Sequence, residues 1–457
     1  MSQSQTRRAA VILAAGKGTR MKSALPKVMH AVGGRPMIDW SIALARETGC
    51  GRIVAVVHPS QDVLMAHLKT AHPDVAIAFQ DPPQGTGHAV RCAEDALKEF
   101  DGELAVLYGD SPLVPAAVIE ALFGGVAGGA VLGVLGFEAA DPGLYGRLIT
   151  NPAGDLEAIV EAREATPDQL RVRICNSGVM AGRAKDMFRL LQRITNSNAK
   201  GEFYLTDLVG LARAEGGRCA LITASEDDLI GCDSKADLAE AEGIFQARRR
   251  KSLMEAGVTL VAPETVFVAF DTEIAADVVV EPNVVFGPGV SVAAGVRIKA
   301  FCHLEGAVIG EGCEIGPFAR LRAGTVLGSD VRIGNFVETK NTAMGEGAKA
   351  NHLAYLGDGQ IGSGANIGAG TIFCNYDGYL KHQTTIGEGA FVGSNSALVA
   401  PVSIGDGAYV GSGSIITKDV PADALAVARA HQMTREGWAK AFRTKKAAEK
   451  AAKGKKG

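Results

Sequence analysis

Apolar and polar positions along this chain follow two rhythms. In roughly the first half, short apolar runs alternate with amphipathic stretches. The runs from Ala9 to Leu13, Ile53 to Val57 and Leu104 to Tyr108 read as buried strands, and helical spacing follows each. From about Ile274 to Val420 a branched aliphatic instead returns every six residues. Val280, Val292 and Ile298 keep this beat, with Phe286 in one place. After a one-residue slip it resumes at Ile309, Ile315, Leu321, Leu327 and Ile333, and it returns at Ile361, Ile367, Ile386, Val392, Ile404 and Val410.

A six-residue period fits neither helix nor simple strand alternation. It fits a parallel β-helix, each hexad giving one short strand and one turn. The aliphatic points inward, and the Gly that so often follows it stands where a Cβ would crowd the turn. Each coil needs another stacked on it, so the array has to be long. A disordered Gly-rich tract would not hold its aliphatics at fixed spacing.

The alternation of strands and helices ahead of the repeat predicts a parallel α/β sheet, whose ligands sit at the carboxyl ends of the strands. Three polar loops fall there. Gly16-Lys17-Gly18-Thr19-Arg20 ends the first strand, with Lys27 soon after. Exposed backbone N–H groups and cations in such a loop suit a polyphosphate, although neither a Walker A nor a complete GxGxxG motif is present. The second loop is Gln80 to His88, and the third carries Asp110 at a strand end. Asp110 could be a metal ligand or a cap beside Ser111-Pro112.

Composition narrows the partners. The chain has 457 residues with a formal net charge of −3, room for two or three domains and no bias toward nucleic acid. Eight cysteines show no CxxC pair or Cys/His metal spacing. No run is long enough to span a membrane, and Met1 to Arg8 lack the apolar core of a signal peptide. These features predict a soluble cytoplasmic protein with free thiols.

Leu13-Ala-Ala-Gly-Lys-Gly-Thr-Arg-Met21 with Pro26-Lys27, Gln80, Gln84-Gly85-Thr86 and Tyr108-Gly109-Asp110 resembles the signature of sugar-phosphate nucleotidyltransferases. Joined to the hexapeptide array, the whole chain apart from its termini is similar to the bifunctional N-acetylglucosamine-1-phosphate uridyltransferase/glucosamine-1-phosphate acetyltransferase family. The resemblance implies a Rossmann-like α/β nucleotidyltransferase domain followed by a left-handed parallel β-helix. It implies acetyl transfer from acetyl-CoA to glucosamine-1-phosphate, then uridyl transfer from UTP, giving UDP-N-acetylglucosamine for peptidoglycan and lipopolysaccharide. It places Leu13, Ala14, Ala15 and Gly16 in the uridyl site, where the Gly-rich loop holds the nucleotide phosphates and Arg20 and Lys27 steady the leaving pyrophosphate. Gln80, Gly85 and Thr86 read the uracil, Tyr108 and Gly109 belong to the same uridyl site, and Gly146, Glu161 and Asn176 line the sugar pocket. From composition alone Glu161 is equally a surface charge. Asp110 holds Mg²⁺ together with position 233, where the family pattern has Asn and this chain has Asp.

A second polar cluster lies where the hexad beat falters, after Ile333 and after Ile367, and interruptions of a solenoid predict loops that carry function. His352 is the residue there whose ordinary pKa suits proton removal near neutrality. A lone His in a loop is ordinarily just exposed; its cationic and amide neighbours favour chemistry. The resemblance makes His352 the general base, with Glu338 orienting or polarising. It gives the sugar phosphate to Arg322, Lys340, Tyr355, Asn366 and Lys381, and acetyl-CoA to Ala369, Asn375, Tyr376, Ser394, Ser412 and Arg429. It also implies a homotrimer with acetyl sites between subunits.

The expected domains are 1–233, a linker helix over 234–257 opened by a capping box at Ser234 to Asp237, a β-helix over 258–430 and a basic tail over 431–457 expected to fray. Two other functions make different demands on these residues. A single-activity nucleotidyltransferase with a structural β-helix would lack His352, Arg322 and Lys340. A non-enzymatic scaffold would tolerate losing Asp110, Arg20 or His352.

Overall fold

The structure, a computed structural model, describes residues 7–198 and 200–453. It divides into two compact units, Met1–Glu255 with Phe267–Asp271, and Ala256–Val266 with Thr272–Gly457. All eight cysteines are unpaired. Among the described residues no helix is long and apolar enough to cross a membrane.

The first unit is built on β1 (Arg8–Leu13), α1 (Met37–Glu47), β2 (Cys50–Val57), α2 (Asp62–Ala71), β3 (Ala76–Phe79), α3 (Thr86–Arg91), β4 (Glu103–Tyr108) and α4 (Ala116–Ala127). After these come β5 (Leu132–Glu138), β6 (Arg147–Thr150), β7 (Leu156–Val160), β8 (Ile174–Arg183), α5 (Ala184–Leu191), α6 (Asp207–Ala214), β9 (Cys219–Ala224) and α7 (Lys235–Glu255). The sheet order is β9-β5-β8-β4-β1-β2-β3, and β6 joins β8 to β7. Strands β1, β2, β3 and β4 are mutually parallel, as the apolar runs predict, but β8 lies antiparallel between β4 and β5. Both faces of the sheet are covered, so neighbouring residues serve opposite cores. Ala9, Val11 and Val106 pack toward α3, α5 and α6, while Ala10, Ile12 and Leu107 pack toward α1, α2 and α4. Ser234 and Asp237 form the expected capping box at the start of α7: the Asp237 amide donates to Ser234 Oγ at 3.3 Å and the Ser234 amide to Asp237 Oδ2 at 2.8 Å.

The second unit is a parallel β-helix on three faces, built mostly of two- and three-residue strands. Val280, Ile298, Ile315, Ile333, Ala350, Ile367, Val392 and Val410 stack in register along one face, and all are buried. The two apparent breaks in the beat differ. After Ile333 the chain does not leave the coil, which corrects the expectation of a loop. Ala350 takes the inward place, and the long strands Glu338–Met344 and Tyr355–Ile361 cross from one face to the next with Thr339 and Thr342 buried. These threonines escape an aliphatic search but satisfy their hydroxyls internally; Thr342 Oγ1 donates to the Leu356 carbonyl at 2.8 Å. After Ile367 there is a true loop, closed by a bridge between Tyr376 and Lys381.

Glycine after the inward aliphatic is required by stacking. A Cβ on Gly334 would lie 1.8 Å from the carbonyl oxygen of Asn351 on the next coil. The tail also departs from expectation: Trp438–Lys453 is a helix (α8). Ala and Lys are good helix formers, and Lys446 pairs with Glu449 at 2.7 Å.

Candidate active sites

In the first unit, a cavity of about 460 Å³ opens at the carboxyl ends of β1, β3 and β4. Leu13, Ala14, Ala15, Gly16, Lys27, Gln80, Gly85, Thr86, Tyr108 and Asp110 line it. Gln61 Nε2 donates to the Ala14 carbonyl at 3.1 Å and holds the Gly-rich loop. Buried Gln80 donates from Nε2 to the Gly85 carbonyl at 2.9 Å. Gly85 has φ 103°, and a Cβ there would meet the Phe203 carbonyl at 2.7 Å, so only glycine fits. Gly109 stands behind the wall, its amide donating to the Leu13 carbonyl at 3.0 Å. Lys17 and Glu202 also face the cavity. Glu202 comes from a distant loop and carried no motif that would have marked it.

One end of the cavity is strongly charged. Lys27 Nζ bonds to Asp110 Oδ2 and, at 2.9 Å, to Asp233 Oδ1, while Arg20 reaches Asp233 Oδ2 at 2.8 Å. Burial works to depress the Lys27 pKa, but the two carboxylates overcome it and hold the ammonium above its ordinary value. The Cys232 amide donates to the Asp110 carbonyl at 2.9 Å, and this bond places Asp233 beside Asp110. Burial pushes the Cys232 thiol up to about 12, so it stays neutral. The sugar-pocket candidates also come together: the Asn176 amide donates to the Gly146 carbonyl at 2.8 Å, and a Cβ on Gly146 would lie 3.6 Å from Glu161 Oε1. Glu161 is half-buried with its pKa raised, chiefly by burial, which argues against the plain surface charge that composition allowed.

Asp39, His67 and His72 form another cluster with metal-ligand chemistry. Both Nε2 atoms bond to Asp39 Oδ1, at 2.7 and 2.9 Å. Arg46 lies 3.2 Å from His72 Nδ1, and a guanidinium can only donate, so Nε2 of His72 carries the proton and donates to Asp39. The trio is a satisfied hydrogen-bond network rather than a cradle for a cation.

In the second unit the predicted residues fall into two groups. Arg322 NH1 bonds to Glu338 Oε1 at 2.9 Å. Lys340 lies 3.6 Å from Asp358, which also accepts from Asn341 at 2.9 Å and from Asn375. Burial favours the neutral acid at Asp358, but these amides and the Lys340 and Lys381 charges outweigh it and hold the carboxyl below its usual range. Lys381 sits over the Tyr376 ring at 5.8 Å, and Tyr355 packs beside Gly357 and Asn375. Asp358 thus anchors one group of predicted residues. Sequence reading missed it because Gly-Asp-Gly also reads as a plain turn.

The other group is a column. The Leu353, Gly370, Asn395 and Gly413 amides donate to the carbonyls of Asn335, His352, Ala369 and Ser394, at 3.0, 3.3, 2.7 and 2.8 Å. Arg429 NH1 closes the series on the Ser412 carbonyl at 2.6 Å. The predicted base and the predicted acetyl-CoA residues Ala369, Ser394, Ser412 and Arg429 therefore stand on successive coils at one corner. Asn366 lies on the adjoining face, in register with Lys349 and Phe391. His352 bonds through Nδ1 to Asn335, not to Glu338.

Comparison with known proteins agrees with this division. Residues 10–166 match the MobA-like NTP transferase domain, 262–344 the GMPPB C-terminal domain, and 383–418 the bacterial transferase hexapeptide of six repeats. The bifunctional protein GlmU of Hyphomonas neptunium is 78% identical over 99% of this chain and 98% of its own. This chain belongs to the GlmU family. GlmU of Caulobacter vibrioides is 55% identical over 97% of this chain and 96% of its own, and that of Azorhizobium caulinodans 53% over 95% and 96%. The likeness runs through both units, so the bifunctional uridyltransferase–acetyltransferase resemblance read from the motifs holds, and a single-activity enzyme with a structural β-helix is not favoured.

Proposed function

We propose that the two units carry successive steps in making UDP-N-acetylglucosamine, a precursor for cell-wall polymers, and that the residues named above perform them. The observation that carries this reading is the pairing of a nucleotide-sized cavity, charged at one end by Lys27 and Asp110 with Asp233 bonded to Lys27, with a His352-centred column on the β-helix. In acetyl transfer, the amine of glucosamine-1-phosphate forms a bond to the acetyl carbon of acetyl-CoA as the C–S bond breaks. His352 accepts an amine proton and returns one to the leaving sulfur. Arg322, Lys340 and Lys381 supply charge for the sugar phosphate.

In uridyl transfer, a phosphate oxygen of N-acetylglucosamine-1-phosphate attacks the α-phosphorus of UTP, and pyrophosphate leaves. The work is alignment and charge neutralisation. Arg20 and Lys27 hold phosphate oxygens, and Gln80, Gly85 and Thr86 present polar groups to the base. Asp110 and Asp233 are hard oxygen donors side by side, a set that fits Mg²⁺. When bound, the ion supplies positive charge to the phosphates. Exposed Phe301, Phe318 and Phe336, stacked on one corner with centroids 4.9 and 5.2 Å apart, support the homotrimer as an apolar face for a neighbour. A cytoplasmic location fits the unpaired cysteines.

The test is a reconstitution with Mg²⁺, UTP, glucosamine-1-phosphate and acetyl-CoA. Formation of UDP-N-acetylglucosamine with stoichiometric free CoA and pyrophosphate is expected. Uridyl transfer that works only when N-acetylglucosamine-1-phosphate is supplied ready-made would refute the acetyl half.

A further inference from the structure

We propose that Asn335 is a positioning residue for acetyl transfer, holding the His352 imidazole in the tautomer that leaves Nε2 free to accept the amine proton. The proposal rests on the reading of His352 as the base. Asn335 and His352 are register partners on adjacent coils, and His352 Nδ1 lies 2.7 Å from Asn335 Oδ1. An amide oxygen can only accept, so Nδ1 carries the proton and Nε2 the lone pair. The base therefore acts through Nε2.

The column explains why the contact comes from below. Ala369, Ser394 and Ser412 stand on the coils beyond His352, and Asn335 stands on the coil before it. Asn335 thus holds the ring from the side opposite the proposed acetyl-CoA residues. The two side chains share a cavity of about 370 Å³ with Lys299, Glu314, Arg332 and Asn351. Lys299 and Glu314 are ion-paired with each other, which leaves the neutral Asn335 as the group bonded to the ring. A neutral acceptor fixes the tautomer without adding the negative charge that a carboxylate would bring beside the ring. Glu338, the orienting group expected from the sequence, is instead paired with Arg322.

The decisive variants are Asn335→Leu, which removes the acceptor at similar size, and Asn335→Asp, which keeps it and adds charge. For Asn335→Leu the turnover of acetyl transfer should fall roughly ten- to a hundredfold, part of the 10²–10⁴-fold that a positioned base contributes. KM for both acetyl-transfer substrates and the rate of uridyl transfer should stay near wild type. Asn335→Asp should recover most of the turnover and move the acid limb of the acetyl-transfer pH profile to higher pH, because a carboxylate stabilises the imidazolium. Near-wild-type turnover in Asn335→Leu, or a loss carried by KM alone, overturns the proposal. If the leucine variant does not fold, Asn335→Asp decides: an unmoved acid limb overturns it. His352→Ala, assayed in parallel, separates the two readings. An active His352→Ala removes the base itself, whereas an inactive one beside an unaffected Asn335→Leu removes only the positioning role.

Discussion

Replacing Asp233 by Asn tests the charged end of the nucleotide cavity most directly. Asp233 receives Lys27 at 2.9 Å and Arg20 at 2.8 Å, and its side chain is 39% exposed. At 4 Å two unit charges in a medium of effective dielectric about 20 attract by ~4 kcal/mol, but exposure and salt reduce such pairs to about 1 kcal/mol each. Two opposing effects follow from losing the carboxylate charge. Mg²⁺ loses one of its two anionic ligands, and Lys27 becomes easier to displace from between them. The divalent ion carries twice the charge of the ammonium, so its loss is the larger, a net of about 1–2 kcal/mol. The Mg²⁺ concentration for half-maximal uridyl transfer should therefore rise roughly five- to thirtyfold in Asp233→Asn, with turnover at saturating Mg²⁺ nearly restored. The assay is pyrophosphate release across a Mg²⁺ titration, with acetyl transfer as the internal control. A half-saturation that stays put or falls would show that Asp233 does not face the metal and that Lys27 alone sets its charge.

Three other outcomes are expected. His352→Ala should lower acetyl-transfer turnover by about 10²–10⁴-fold and leave uridyl transfer from supplied N-acetylglucosamine-1-phosphate unchanged, checked by separate assays of the two half-reactions. Gly334→Ala puts a Cβ 1.8 Å from a backbone oxygen that cannot move aside cheaply, so thermal unfolding should show the β-helix destabilised by about 3 kcal/mol, with acetyl transfer reduced because Asn335 is adjacent. Asp358 has its folded pKa depressed below 3.8, so it contributes stability above that pH and loses it as pH falls through the folded value. Asp358→Asn should therefore be less stable than wild type near neutrality, and the difference in urea midpoints should narrow only as pH drops below 3.8.

Much of this molecule is legible locally. The hexad beat gave the β-helix because inward side chains must recur once per turn whatever the rest of the chain does, and Val280 through Val410 did stack as read. The same rule misleads where threonine or alanine replaces the aliphatic: Thr339, Thr342 and Ala350 continue the prism, although a search for aliphatics alone reads their coil as a loop. The Gly-rich loop, Gln80 and Asp110 could be placed because each follows an apolar run and so falls at the carboxyl end of a strand.

What the sequence by itself determined is which stretches form coils, strands and strand-end loops, because those depend on periodicity within a few residues. The tertiary structure decided which distant side chains meet. Lys27 finds Asp110 and Asp233 across separations of 83 and 206 residues, and no local pattern in any of the three names the others. Asp358 draws in Lys340, Asn341 and Asn375, and Asn335 meets His352, only because the coils stack in one register. A shift of one position along the coil would turn each of these side chains to the other side of the prism wall, since successive residues of a strand face opposite ways. Register is set by the summed packing of all the rungs, so the partners of the polar residues emerge only once the whole prism has been built.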